Sequence, residues 1–245
     1  MTDISPLDRF IDGMAAYFGV DAALTHEPGW TAAPMAERAE SGVAVAYSLR
    51  QHVVVPCPPG REDAVVAGAP TSPEDWVEQM VAAGAELLGG AVMQTLGADG
   101  LRPGDLADGF SFRRMTHADT DLRELVGALA ERCSEDDLDQ ADIDLDELDE
   151  TVVLALAADG APAAYASSRP WDEVERFGDI GVLVDPGYRR LGLGAAVVTE
   201  MSRWLMEDGV DPLYRRNDDN TGSVRLSLGL GFVPATHLVA VRFTD

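Results

Sequence analysis

The twenty residues from Phe177 to Ala196, FGDIGVLVDPGYRRLGLGAA, constrain this chain more than any other stretch. Ile180 to Val184 is apolar and largely β-branched, the pattern of a buried strand, and Asp185-Pro186-Gly187 stops it with turn residues. Val197, Val198, Met201 and Leu205 then recur at helical spacing, so a helix follows with one apolar face. Gly192 and Gly194 fall at the strand-to-helix junction, where the first N–H groups of a helix have no partner within it. Without a Cβ the backbone there admits close approach, and Arg189 and Arg190 stand beside it. The junction therefore suits an anion, and a pyrophosphate in particular.

Arg189-Arg190-Leu191-Gly192-Leu193-Gly194 resembles the R-x-x-G-x-G signature of the GNAT superfamily of acyl-CoA-dependent N-acyltransferases. Downstream, Asn220 followed by a short helical run that closes on Gly231-Phe232 is similar to that family's later motif. The resemblance covers about Gly109 to Asp245. It implies an α/β (α+β) fold, a mixed central sheet flanked by helices, and an N-acetyltransferase that moves an acetyl group from acetyl-CoA to a primary amine by direct attack. It further implies that Val182, Leu183 and Val184 pair with the pantetheine arm. The N–H groups of Arg190, Leu191, Gly192, Leu193, Gly194 and Ala195 would receive the pyrophosphate, with Arg189 beside them at the cofactor, and Asn220 would hold the pantetheine or thioester region.

An amine of ordinary pKa ~10.4 is protonated at neutral pH, so attack needs a base or a water path. Asp179, on the same strand, is the candidate base; a structural Asp at a strand entrance is the alternative. Two positions depart from the family pattern. Ser227 stands where many members place a Tyr acid, and Arg215 where some place a Glu base. Ser227 is thus the candidate donor at that position, with Tyr214 or a water as substitutes. These departures keep a second reading open, a non-catalytic acyl-CoA-binding or interaction module. A dinucleotide-binding protein would need a third glycine where Val197 stands, and no nucleophile elbow or zinc-protease motif occurs.

Composition narrows the chemistry further. All 18 basic residues are Arg, so a P-loop, a pyridoxal Schiff base and a protein-kinase site cannot be built. The formal charge of −25 opposes encounter with nucleic acid or an anionic membrane and favours a cationic acceptor, such as an amine on a metabolite, antibiotic or peptide; a merely soluble acidic surface accounts for it equally well. The absence of an apolar membrane-length run and of a signal-peptide pattern leads to the expectation of a cytoplasmic protein. Cys57 and Cys133 lack metal-ligand spacing and are expected as free thiols. No metal is expected.

Residues 1–105 read as a small α+β domain of unassigned role, expected to shape the acceptor cleft or a dimer contact. It comprises a helix over Leu7 to Val20, strands at Gly42–Tyr47 and His52–Val55, and a helix from Ser72 down to Gly89-Gly90 with Leu87 or Leu88 on its buried face. His26 and His52 are isolated, and packing or surface roles fit them better than ligation. Gly97 to Asp108 has the composition of a connector, which places the boundary before a domain over 109–245.

There, Phe110–Met115 reads as a strand, and His117 lies in the turn after it. Asp119-Thr120-Asp121 caps a helix. Glu135 to Glu150 holds ten acidic residues along a helical apolar face of Leu138, Ala141, Leu145 and Leu148. An EF-hand is excluded there because Glu147 occupies the Gly position and Val153 the position of the bidentate Glu. A solvated face explains the run, and an acidic border to an amine pocket is the functional alternative. Thr151–Ala157 and Ala161–Ser167 form a hairpin at Asp159-Gly160, Leu213–Arg216 a short strand, and Val233–Phe243 a β segment split around His237.

Overall fold

The computed structural model describes residues 4–97, 99–149 and 151–244. Two compact units emerge, one made of 4–94, 217–219 and 234–244, the other of 95–216 and 220–233.

In the first unit, α1 (Pro6–Tyr17) starts at Ser5, whose hydroxyl accepts the Asp8 N–H, and buries Phe10, Ile11, Met14 and Ala15. Strands β1 (Gly29–Pro34), β2 (Val43–Leu49) and β3 (His52–Cys57) follow, β3 lying between a parallel β1 and an antiparallel β2. Helices α2 (Glu62–Val66) and α3 (Pro73–Ala82) cover a core built on Trp76, whose indole N–H donates to the Val65 carbonyl at 2.8 Å. His52 is buried between the Thr31 hydroxyl and the Glu27 carbonyl, which makes it a packed histidine.

The helix expected to run from Ser72 to Gly89 ends at Ala82. Gly84 adopts φ +95, and the N–H groups of Gly84 and Ala85 return to the carbonyls of Val81 and Met80, a closed glycine cap that stops the helix. Residues beyond it form β4 (Glu86–Leu96), and Leu87 and Leu88 are exposed rather than buried. β1 and β4 have no counterpart among the sequence expectations. Gly29-Trp-Thr-Ala-Ala-Pro lacks an alternating pattern, and Gly89-Gly90 reads locally as a breaker.

The second unit runs β5 (Phe110–Thr116), α4 (Leu122–Ala130), α5 (Glu135–Ala141), β6 (Thr151–Ala157), β7 (Pro162–Pro170), β8 (Phe177–Val184), α6 (Leu193–Glu207), β9 (Asp211–Asn217) and α7 (Thr221–Gly229). β5 to β8 are antiparallel neighbours, and β9 joins β8 in parallel, giving the expected mixed sheet flanked by helices. Side chains alternate between its faces. Val153, Ala155, Ala164, Ala166 and Ile180 pack with α6, while Val152, Leu154, Tyr165 and Leu183 pack with α4 and the segment that contains α5. β10 (Phe232–Arg242) begins in this unit and ends in the first, where Leu238 to Arg242 pair with β2; it is continuous through His237 instead of split there.

Two further expectations are corrected. Asp121 precedes α4 without capping it, because its carboxylate receives Arg113 at 2.7 and 2.8 Å. The helix expected across 135–150 stops at Ala141, where Asp142 takes the left-handed conformation at φ 55. Ile143, Leu145 and Leu148 still pack on the core from an irregular segment. Glu150 lies outside the described residues.

Candidate functional site

The β8–β9 ladder covers three pairs, from Phe177↔Asp211 to Asp179↔Leu213, although β8 runs on to Val184 and β9 to Asn217. Beyond it lies a groove of about 670 Å³ in the second unit, lined by the end of β8, the entry to α6 and the start of α7.

The sequence builds that groove from a small number of backbone decisions. Asp185 ends β8, its Oδ1 accepting the Gly187 N–H at 2.7 Å and its Oδ2 accepting Arg132 Nε at 2.5 Å, which fixes the turn at Pro186–Tyr188. Arg190 (φ 69) and Gly192 (φ 81) then take left-handed conformations that turn the chain into α6. A left-handed residue at 192 calls for glycine. Gly194 answers a different need, since a Cβ there would lie 3.1 Å from Leu226 and 3.2 Å from Val184. The first intrahelical bond of α6 runs from Ala196 N to Gly192 O, so the N–H groups of Leu193, Gly194 and Ala195 precede it and are available to a ligand. They carry the positive end of a fifteen-residue helix.

Of the residues expected at the cofactor, Val182, Leu183, Val184, Arg189, Arg190, Gly192, Leu193, Gly194, Ala195 and Asn220 line the groove, whereas Leu191 is half-exposed and outside the lining. Asn220 caps α7, its Oδ1 accepting the Ser223 N–H at 2.9 Å. The groove also holds residues to which the sequence reading gave no role, among them Asp137, Gln140 and Ser223. Asp137 pairs with Arg189 at 2.5 Å, Gln140 accepts from the Asn220 amide at 2.7 Å, and Ser223 lies 3.1 Å from the hydroxyl of buried Tyr214. Burial pushes the Tyr214 phenol up to about 12. For Asp137, burial acts upward but is outweighed by hydrogen bonds from Ser134 and Arg189, so its carboxyl titrates below the ordinary range.

The two candidate catalytic residues are placed differently. Ser227 is fully buried, donates to the Val224 carbonyl at 3.3 Å and takes no part in the lining. Asp179 is buried on the α4/α5 face at the last pair of the β8–β9 ladder, its Oδ2 receiving Arg215 Nε at 3.3 Å. Burial raises its pKa, against the pull of Arg215 and Arg169. A second cavity of about 420 Å³ is lined by Asp142, Asp144, Glu147 and Asp149 with Arg169 and Tyr165. His117 is exposed in its turn. Both cysteines are free, and burial raises Cys57 to about 11, which keeps it a thiol. Among the described residues no group of three or more His, Cys, Asp or Glu is arranged to hold a metal, and no helix is long and apolar enough to cross a membrane.

A parallel strand pair that parts over a groove, with free helix N–H groups at its rim, is the arrangement that the resemblance to the GNAT superfamily implies. Residues 119–232, a little under half of the chain, match the family model described as Acetyltransferase (GNAT) family. Comparison with curated proteins finds no match.

Among solved structures, a GCN5-related N-acetyltransferase from Kribbella flavida aligns with TM-score 0.52 and 19% identity, over 69% of this chain and 63% of its own. One from Sphaerobacter thermophilus aligns with TM-score 0.52 and 17% identity, over 71% and 57%. A tandem GNAT protein from the clavulanic acid biosynthesis pathway gives TM-score 0.50 and 16% identity, over 73% and 62%. The chain thus spans less than two thirds of each of these structures, and the likeness is one of fold.

Proposed function

We propose that the protein is an N-acetyltransferase that moves the acetyl group of acetyl-CoA to a primary amine of a small cationic metabolite, antibiotic or peptide. The observation that carries this reading is the groove itself. Unpaired N–H groups of Leu193, Gly194 and Ala195 open onto it beside Arg189 and Arg190, and the free edge of β8 at Val182 to Val184 borders it. Such an edge accepts an extended amide-bearing arm as it would a strand, and a backbone N–H there can stabilise the oxyanion that forms at a thioester carbonyl.

Acceptor charge is supported by the cavity at 142–149, where Asp144 and Glu147 join Asp142 and Asp149, the two carboxylates that pair with Arg169. In this reading Asp179 takes the ammonium proton and the amine attacks directly. The Ser223 hydroxyl, backed by Tyr214, offers a route for a proton to the departing thiolate. Burial of Ser227 favours the second reading, a non-catalytic acyl-CoA binder, because the position of the family's tyrosine acid then offers no donor to the groove.

Calorimetry with acetyl-CoA tests the site, and thiol release in the presence of a panel of amines separates the two readings. Gly192→Glu brings a carboxylate to the pyrophosphate position and should abolish binding. Gly192→Asn, which tolerates the left-handed conformation and adds no charge, should retain it. Equal affinity in both folded variants would remove the pyrophosphate assignment.

A further inference from the structure

Among the described residues, Oδ1 of Asp179 is a buried carboxylate oxygen without a hydrogen-bond partner. Leaving such an atom unpaired costs on the order of 1–3 kcal/mol. Its surroundings are nonetheless arranged around it. Arg169 stands directly opposite on β7, and Arg215 reaches Oδ2 from β9. Both guanidinium groups converge on Oδ2 of Asp142, at 2.5 and 2.9 Å, so that Asp142 bridges them from the left-handed turn that ends α5. Asp142 and Arg169 are also walls of the acidic cavity. The arch over Asp179 and the cavity that suits an amine therefore share Asp142 and Arg169, while Arg215 and Asp179 stand behind the cavity wall and line neither it nor the groove.

We propose that Arg215 is a positioning residue for the acetyl transfer described above. Pinned by Asp142, it engages the Asp179 carboxylate through Oδ2 and leaves Oδ1 uncommitted for the ammonium group of the acceptor. The inference rests on the transferase reading.

Arginine suits this task because its planar fork serves two carboxylates at once, Nε turned to Asp179 and the terminal nitrogen to Asp142. A lysine ammonium is a single point and cannot span both. Burial alone would protonate Asp179, since a carboxylate without counter-charge in a dry site takes up a proton. Arg215 and Arg169 oppose this, and Asp142 partly restores it. The outcome is a carboxylate more basic than one in water, which is what a base for an ammonium group requires.

The proton balance is closed. Oδ1 takes one proton from the ammonium, and the nitrogen lone pair forms the bond to the thioester carbon. The C–S bond breaks with its electron pair on sulfur. A second nitrogen proton passes to the thiolate, and Asp179 returns its proton to solvent.

The test uses the full chain with side-chain carboxyl ¹³C-labelled aspartate, and needs no acceptor. The signal missing in Asp179→Asn identifies Asp179. In Arg215→Gln that signal should titrate about one pH unit or more above the wild type, and Arg215→Lys should return part of the shift. Asp142→Asn removes an anion and should move the titration downward, so the two neighbours act with opposite sign. With acetyl-CoA and 1,4-diaminobutane as the probe amine, the acidic limb of kcat/KM should move as the NMR titration does, while the acetyl-CoA Kd stays constant. An unchanged Asp179 titration in both Arg215→Gln and Asp142→Asn would overturn the assignment. Failure of the wild type to bind acetyl-CoA would instead overturn the transferase reading.

Discussion

At the scale of single residues, the question is which hydroxyl can reach the departing sulfur. Ser227 stands at the position of the family's tyrosine, yet it is buried and its Oγ is spent on the Val224 carbonyl. Ser227→Ala should lower turnover by less than about tenfold, the lower edge of a general-acid effect, with a loss of a hundredfold or more making Ser227 the donor after all. Ser223 lines the groove and touches Tyr214, so Tyr214→Phe should lower kcat by about tenfold and leave the acetyl-CoA Kd alone. That penalty stays small because a thiol of ordinary pKa ~8.5 leaves as thiolate without much help. Thiol-release assays on the two variants decide between the hydroxyls. Gly192 and Gly194 were legible in the sequence because a left-handed turn and a 3.1 Å approach each demand glycine. Ser223 was legible only in outline, as the third residue of a helix capped by Asn220. Its contact with Tyr214 comes from the placement of α7 beside β9, which no local pattern encodes.

At the scale of elements, α5 is where sequence and structure part most. Its acidic run reads as one long amphipathic helix, but Asp142 closes it after seven residues because its carboxylate is claimed by Arg169 and Arg215. Tertiary ion pairs of this kind override helical periodicity, as the glycine cap at Gly84 overrides the apolar pattern after α3. The short helix sets two side chains into the groove: Asp137 on Arg189 and Gln140 on Asn220. Both partners are residues that the resemblance assigns to the cofactor, and a carboxylate near the pyrophosphate position opposes an anionic ligand. Asp137 titrates below the ordinary range, so this opposition is present at neutral pH and fades only when strongly acidic solution protonates it. Asp137→Asn should therefore tighten acetyl-CoA binding at neutral pH. The pair is partly exposed, with Arg189 46% and Asp137 25% accessible, so its coupling is worth no more than about 1 kcal/mol, or about fivefold in Kd. Calorimetry that shows weaker binding in Asp137→Asn would instead make Asp137 a support that orients Arg189.

At the scale of the whole molecule, 43 acidic residues against 18 arginines leave a net charge of −25, and the two substrates of the proposed reaction respond to that field with opposite sign. Acetyl-CoA carries phosphates and is repelled at long range; the arginines and helix N–H groups of the groove act on it only at contact. A cationic amine is attracted at long range, and the carboxylates at 142–149 continue that attraction into the acidic cavity. Salt screens both effects, shortening the Debye length from ~30 Å at ~0.01 M to ~8 Å at ~0.15 M. Raising ionic strength over that interval should raise kcat/KM for acetyl-CoA and lower it for a dicationic acceptor such as 1,4-diaminobutane. A monocationic amine should fall less, and a neutral hydroxyl-bearing amine of low pKa should hardly change. The sign difference matters more than either slope, because a general effect of salt on stability or on the chemical step would move all of these parameters together. Parallel slopes for cofactor and diamine would mean that the acidic surface serves solubility and does not guide the acceptor. Replacing Asp144 and Glu147 by Asn and Gln localises the effect: the diamine slope should flatten while the acetyl-CoA slope persists, since these two side chains belong to the cavity and not to the groove.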